Sequence, residues 1–67
     1  MKIQDRIQKL YPEAEVSWSH LAHNINQLTL IFPDNIEINV NTINARICRE
    51  LDFAGMLKAV DRIHIMQ

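Results

Sequence analysis

The chain has 67 residues, of which 48% are apolar and 22% charged, with a formal net charge of -1. A fold of this length buries only about 60% of its unfolded surface, so it has little material with which to wall a deep substrate cleft, yet its composition is far from that of a disordered chain. The near-zero charge supplies no global attraction to phosphate or anionic lipid, no apolar run approaches the roughly 18 residues of a membrane-spanning helix, and the single Cys48 forbids an internal disulfide. A reducing, cytoplasmic setting fits this best.

Ile3, Ile7, Leu10 and Tyr11 recur at helical spacing, and Pro12 biases Tyr11 out of helical geometry, which predicts a short amphipathic helix over about Lys2 to Leu10. Its other flank carries Lys2, Arg6 and Lys9. From Ala14 the period changes to two: Ala14, Val16, Trp18 and His20 alternate with Glu15, Ser17, Ser19 and Leu21, as in a strand with one buried face that takes Trp18 into the core. The polar stretch Ala22 to Asn26 reads as a hairpin connection.

Leu28, Leu30 and Phe32 mark a second strand. Pro33-Asp34-Asn35 is turn chemistry, and Ile36, Ile38 and Val40 then read as a third strand, completing a hairpin. Asn41 or Thr42 can cap the next helix, whose apolar stripe is Ile43, Ile47, Leu51 and Ala54. Phe53, Leu57 and Val60 lie off that stripe and Gly55 weakens a helix, so a break is expected. Asp52 would cap a second short helix from Phe53 to Ala59 that turns Phe53, Leu57 and Val60 inward. Arg62 to Met66 closes the chain as a strand.

The expected architecture is a single α+β domain over residues 1–67, in the order α-β-β-β-α-α-β. It has a small mixed or antiparallel sheet of three to four strands with two to three helices packed on one face. No repeat, linker or low-complexity tract divides it, and the initial Met1 points to a complete protein or an N-terminal piece.

Residues that could carry chemistry are sparse. His20, His23, His64 and Cys48 are the obvious soft-metal ligands, but only His20 and His23 are close in sequence, and ordinary histidines are the simpler reading. Nothing around Cys48 resembles a nucleophile turn, Gly55 is the only glycine, so a glycine-rich phosphate loop is ruled out, and the carboxylates sit beside turns and caps that account for them. Neither catalysis, a cofactor, a metal nor a small-molecule substrate is expected.

Charge distribution is more informative. Residues 11–41 contain Glu13, Glu15, Asp34 and Glu37 with no Lys or Arg, whereas the helices are basic. If the first two helices lie side by side, Lys2, Arg6, Lys9, Arg46 and Arg49 form one basic surface suited to phosphates or an acidic partner, tempered by Asp5 and Glu50 among them. Strand parity places Glu15, Ser17, Ser19, Leu21, Thr29, Ile31, Glu37, Asn39, His64 and Met66 on the open sheet face, which has no aromatic residue on which a base could stack. Leu21, Ile31 and Met66, with Glu37 and His64 among them, are the candidate partner-binding face, for another protein or a second copy of the chain.

The beginning of the chain is similar in order to a double-stranded-RNA-binding domain, helix, three strands, helix. That family opens its second helix with lysines where this chain has Asn41-Thr42-Ile43-Asn44-Ala45. The version with a broken second helix resembles the KH-type order, which implies single-strand binding through a Gly-X-X-Gly loop between paired helices. The matching junction here, Glu50-Leu51-Asp52-Phe53, is acidic and without glycine. The expectation is therefore a small intracellular protein-interaction or regulatory module without catalytic activity, with a nucleic-acid-binding module acting through the basic helix face as the alternative.

Overall fold

A computed structural model describes residues 2–21 and 25–67, with Leu21 described by its backbone alone. The expected connection over Ala22 to Asn26 therefore lies largely outside the described residues. Among the described residues five regular elements follow one another: α1 (Ile3–Leu10), β1 (Glu15–Leu21), β2 (Ile25–Ile31), α2 (Val40–Phe53) and β3 (Arg62–Met66), with a 3-10 turn at Leu57–Ala59 before β3.

The sheet order is β1-β2-β3, with β1 antiparallel to β2 and β3 parallel to it. Pairing aligns Val16 with Leu30 and Ile65, and Trp18 with Leu28 and Ile63. Because side chains alternate, these two rows share one face, and the helices cover it. Ile3 and Ile7 of α1 and Ile43, Ile47 and Leu51 of α2 close over Val16, Leu28 and Leu30, with Trp18, Ile63 and Ile65 half-buried at the margin. Leu28 and Leu30 have no exposed surface because β2 is the central strand.

The third strand expected over Ile36 to Val40 does not form. Pro33-Asp34-Asn35 does turn the chain, but β2 has only two edges, one taken by β1 and the other by β3. The Phe32 N–H, which a hairpin would need, donates instead to the Met66 carbonyl at 2.9 Å. The Gln67 side-chain amide donates to the Pro33 carbonyl at 3.0 Å and to the Ile36 carbonyl, fixing the segment as a loop. The helix then begins earlier than expected: Asn39, not Asn41 or Thr42, is the cap, its Oδ1 accepting from the Thr42 N–H at 3.1 Å.

The second correction concerns the end of α2. The helix runs unbroken to Phe53, and Gly55 at φ 72° then stops it. The Met56 N–H donates to the Leu51 carbonyl at 2.8 Å and the Gly55 N–H to the Asp52 carbonyl at 3.0 Å, the paired bonds of a Schellman cap. Met56 thereby packs on the core, while Phe53, expected to turn inward, is left 84% exposed. Leu57 is exposed too, and of the three residues assigned to an inward stripe only Val60 packs against the core. The expected second helix is reduced to the 3-10 turn, because the left-handed residue comes two positions after Phe53 rather than before it.

Gly55 tests this account. A Cβ at this position would meet nothing within 4 Å, so the cost of Gly55→Ala is that of the backbone conformation alone, about 1–2 kcal/mol. Chemical denaturation monitored by circular dichroism should show that loss with an unchanged slope. A neutral result would mean that the cap is not formed as described.

Candidate functional site

The uncovered sheet face is built from the residues between the core positions. Register places Glu15, Ile31 and Met66 in one row, Ser17, Thr29 and His64 in the next, and Ser19, Gln27 and Arg62 in the third. Ile31 and Met66 are direct cross-strand partners, 40% and 44% exposed, and they make an apolar pair at one end of the face. Gln27 donates to the Thr29 hydroxyl at 2.9 Å, so the central part of the face is already hydrogen-bonded within itself.

Of the residues that strand parity assigned to this surface, Ile31, His64 and Met66 lie together on it. Glu37 does not: it belongs to the loop between β2 and α2, and Asn39 is the cap of α2. The backbone of Leu21 pairs with Ile25, but its side chain is outside the described residues. Gln27 and Arg62 went unassigned, although they share the parity of Thr29 and His64 in their own strands.

The helix layer presents the other candidate surface. Arg6 of α1 forms an ion pair with Glu50 of α2 at 3.3 Å. Tyr11 and Arg46 line one depression and Ile3 and Met56 line another, so the two helices lie side by side and antiparallel. Arg6 marks the flank of α1 that faces α2 and Glu50 the flank of α2 that faces α1, with Lys2 and Lys9, and Arg46 and Phe53, three or four residues to either side of them. Lys2, Lys9, Arg46 and Arg49 are exposed. Among the described residues Arg6 and Glu50 form the one ion pair, and at about one-third exposure it contributes no more than about 1 kcal/mol.

The depression holding Ile3 and Met56, about 480 Å3, is also lined by Lys2, Gln4 and Trp18 and opens broadly to solvent. Lys2 is its only ionisable group, so it presents no acid-base pair. Among the described residues no group of three or more His, Cys, Asp or Glu side chains is placed to share a metal ion, and His23 lies outside those residues. Cys48 is half-buried in α2, and His20 and His64 are exposed on opposite faces of the sheet.

No known protein family, curated protein or solved structure matches this chain. The fold and its surfaces define a small α+β domain with a three-stranded mixed sheet, one face covered by two helices and the other open. No helix among the described residues is long and apolar enough to cross a membrane.

Proposed function

We propose that this domain is a non-catalytic, intracellular protein-interaction module whose contact surface is the open sheet face around Ile31, Met66 and His64. The observation that carries this reading is the exposed Ile31–Met66 pair, rimmed by Glu15, Thr29 and His64 in adjoining positions of the sheet. An apolar centre with a polar rim, lacking buried charge, is the usual composition of a small protein contact. Among the described residues the face carries no aromatic platform for a base.

Photo-crosslinking tests this reading by position. A crosslinking amino acid in place of Ile31 should form a discrete protein adduct that disappears when Met66→Asp is added in the same chain. The same group at Arg46 should form none. Adducts at position 46 alone, or no adduct at 31 under conditions where the fold is intact, would overturn the assignment.

A second reading is supported by the placement of the helices. Arg6 of α1 reaches Glu50 of α2, Lys2, Lys9, Arg46 and Arg49 are exposed on the same two helices, and the 84% exposed Phe53 follows Arg49 by one helical turn. Such a surface suits a nucleic-acid strand held through its phosphates, and binding of that kind weakens steeply with salt. Replacing Arg46 and Arg49 together by alanine should then lower affinity for a mixed single strand and flatten its salt dependence. Unchanged binding in the double variant would end the helix-face version.

A further inference from the structure

The two edges of the sheet are treated differently. Backbone groups in a strand point alternately to its two sides, and the Phe32 N–H to Met66 carbonyl bond fixes the phase in β3: Arg62, His64 and Met66 address β2, whereas the N–H and C=O of Ile63 and Ile65 point away from the sheet. By the same alternation, Ala14, Val16, Trp18 and His20 point out from the β1 side, and there the side-chain amides of Gln8 and Gln4 cover the first part of the edge, meeting the Ala14 and Val16 carbonyls at 2.7 and 3.0 Å. Among the described residues no hydrogen bond reaches the outward groups of Ile63 or Ile65. The edge has neither proline nor lysine, residues with which natural sheets discourage pairing.

We propose that β3 is a self-association edge, and that two copies of this chain pair antiparallel through it about a two-fold axis at His64. This goes beyond the open-face reading and does not depend on it. In that register Ile63 of each copy stands opposite Ile65 of the other, and each such pair exchanges both backbone bonds, giving four in all. The strand is self-complementary in side chains as well as backbone. Ile63 and Ile65 are half-buried on the helix-covered face, and the register sets each β-branched side chain against another, extending the core across the axis.

Among the described residues α2 turns one flank to α1, and helical spacing puts the small Asn44 and Cys48 on the opposite flank. On the open face His64 meets its own copy and Arg62 meets Met66, so no pair of permanent like charges is directly opposed. The product is a six-stranded sheet, order β1-β2-β3-β3-β2-β1, with both open faces on one side. A second copy fits this edge better than an unrelated strand does, because the short row of alternating isoleucines matches its own reversal. A core of ten buried hydrophobic residues among those described also leaves a small domain with stability to gain from association.

The test exploits the symmetry axis. Sedimentation equilibrium over a concentration series reaching the millimolar range should show a monomer–dimer equilibrium. Amide exchange should slow at Ile63 and Ile65 as the dimer fills, with exposed loop amides unaffected. His64 is exposed, so substitution there spares the fold: His64→Lys and His64→Glu should each weaken self-association about fivefold by placing like charges face to face. Mixed in equal amounts, the two variants should form a heterodimer about tenfold tighter than either homodimer.

A protein that stays monomeric throughout, a dimer whose Ile63 and Ile65 amides exchange freely, or variants with no preference for each other would each overturn the proposal. A monomer that still gives the position-specific adduct at residue 31 would remove self-pairing while leaving the face reading intact. Loss of that adduct in a protein that dimerises through β3 would do the reverse.

Discussion

Ile47→Ala is expected to leave much of the protein unfolded in dilute buffer at room temperature. Ile47 is the central residue of the α2 stripe, has no exposed surface, and lies in the cluster containing Leu28 and Leu30 of β2. Truncation removes buried methyl and methylene groups and leaves a cavity, which costs about 2–5 kcal/mol in a packed core. A chain of this length holds roughly 3–10 kcal/mol in total, so one such change consumes a large share of it. Urea unfolding followed by far-ultraviolet circular dichroism gives the difference directly. Ile31→Ala, the same kind of truncation on the open face, should change stability by no more than about 0.5 kcal/mol. Equal effects at the two positions would mean that the assignment of core and open faces is wrong.

That contrast between two isoleucines was legible from periodicity alone. Helical spacing of Ile3 and Ile7, two-residue alternation through β1 and the stripe Ile43, Ile47, Leu51 each report the local side-chain direction: these helix residues and Ala14 and Val16 are buried as their periods require, while Trp18 is half-buried and His20 exposed. β3 was legible for the same reason, with the bounds Arg62–Met66 found in the structure. The failures occurred where the deciding partner is remote in sequence. Ile36, Ile38 and Val40 alternate as a strand would, but the sheet position they would occupy beside β2 belongs to a strand about thirty residues later. Alternation cannot report that competition.

The end of α2 shows a local limit instead. Gly55 correctly marked a break, but a glycine can interrupt a helix or terminate it by taking a left-handed conformation, and the two alternatives send Phe53 in opposite directions. The structure selects termination. The observed order, helix, two strands, helix, 3-10 turn and strand, lacks the second of the paired helices of the KH-type order and the third strand of a double-stranded-RNA-binding domain. Sequence order alone does not assign a function to either. On the surfaces, parity found Ile31, His64 and Met66, and erred at Glu37 because it continued a strand that does not exist. The basic helix face was conditional on the two helices lying side by side, and the Arg6–Glu50 ion pair meets that condition alone.

Gln4 and Gln8 gave no signal in the sequence, yet their joint replacement by alanine should have the second-largest effect. They stand one turn apart on the flank of α1 opposite its cations, and that spacing matches the two-residue step between the carbonyls of Ala14 and Val16 along the β1 edge. Gln8 also donates to the Tyr11 carbonyl at 3.1 Å, tying the end of the helix to the turn that starts the strand. Three side-chain bonds, all part-buried, are lost in the double variant, and three backbone carbonyls lose their partners. At about 1 kcal/mol net for each bond, the expected loss is about 2–3 kcal/mol by urea denaturation. Alanine is the better helix former, so a loss of that size cannot be assigned to α1 propensity. The Ala14–Val16 stretch of the β1 edge is then freed beside the outward groups of Trp18 and His20, so the double variant should form assemblies larger than a dimer, whereas the parent, partly covered at β1, closes as a two-fold pair through β3. Sedimentation of the folded fraction separates the two contributions. Lower stability with unchanged association would mean that the glutamines brace the helix without guarding the edge. Higher-order assembly that vanishes when His64→Lys is added would show that growth runs through β3 as well, as an open-ended sheet requires.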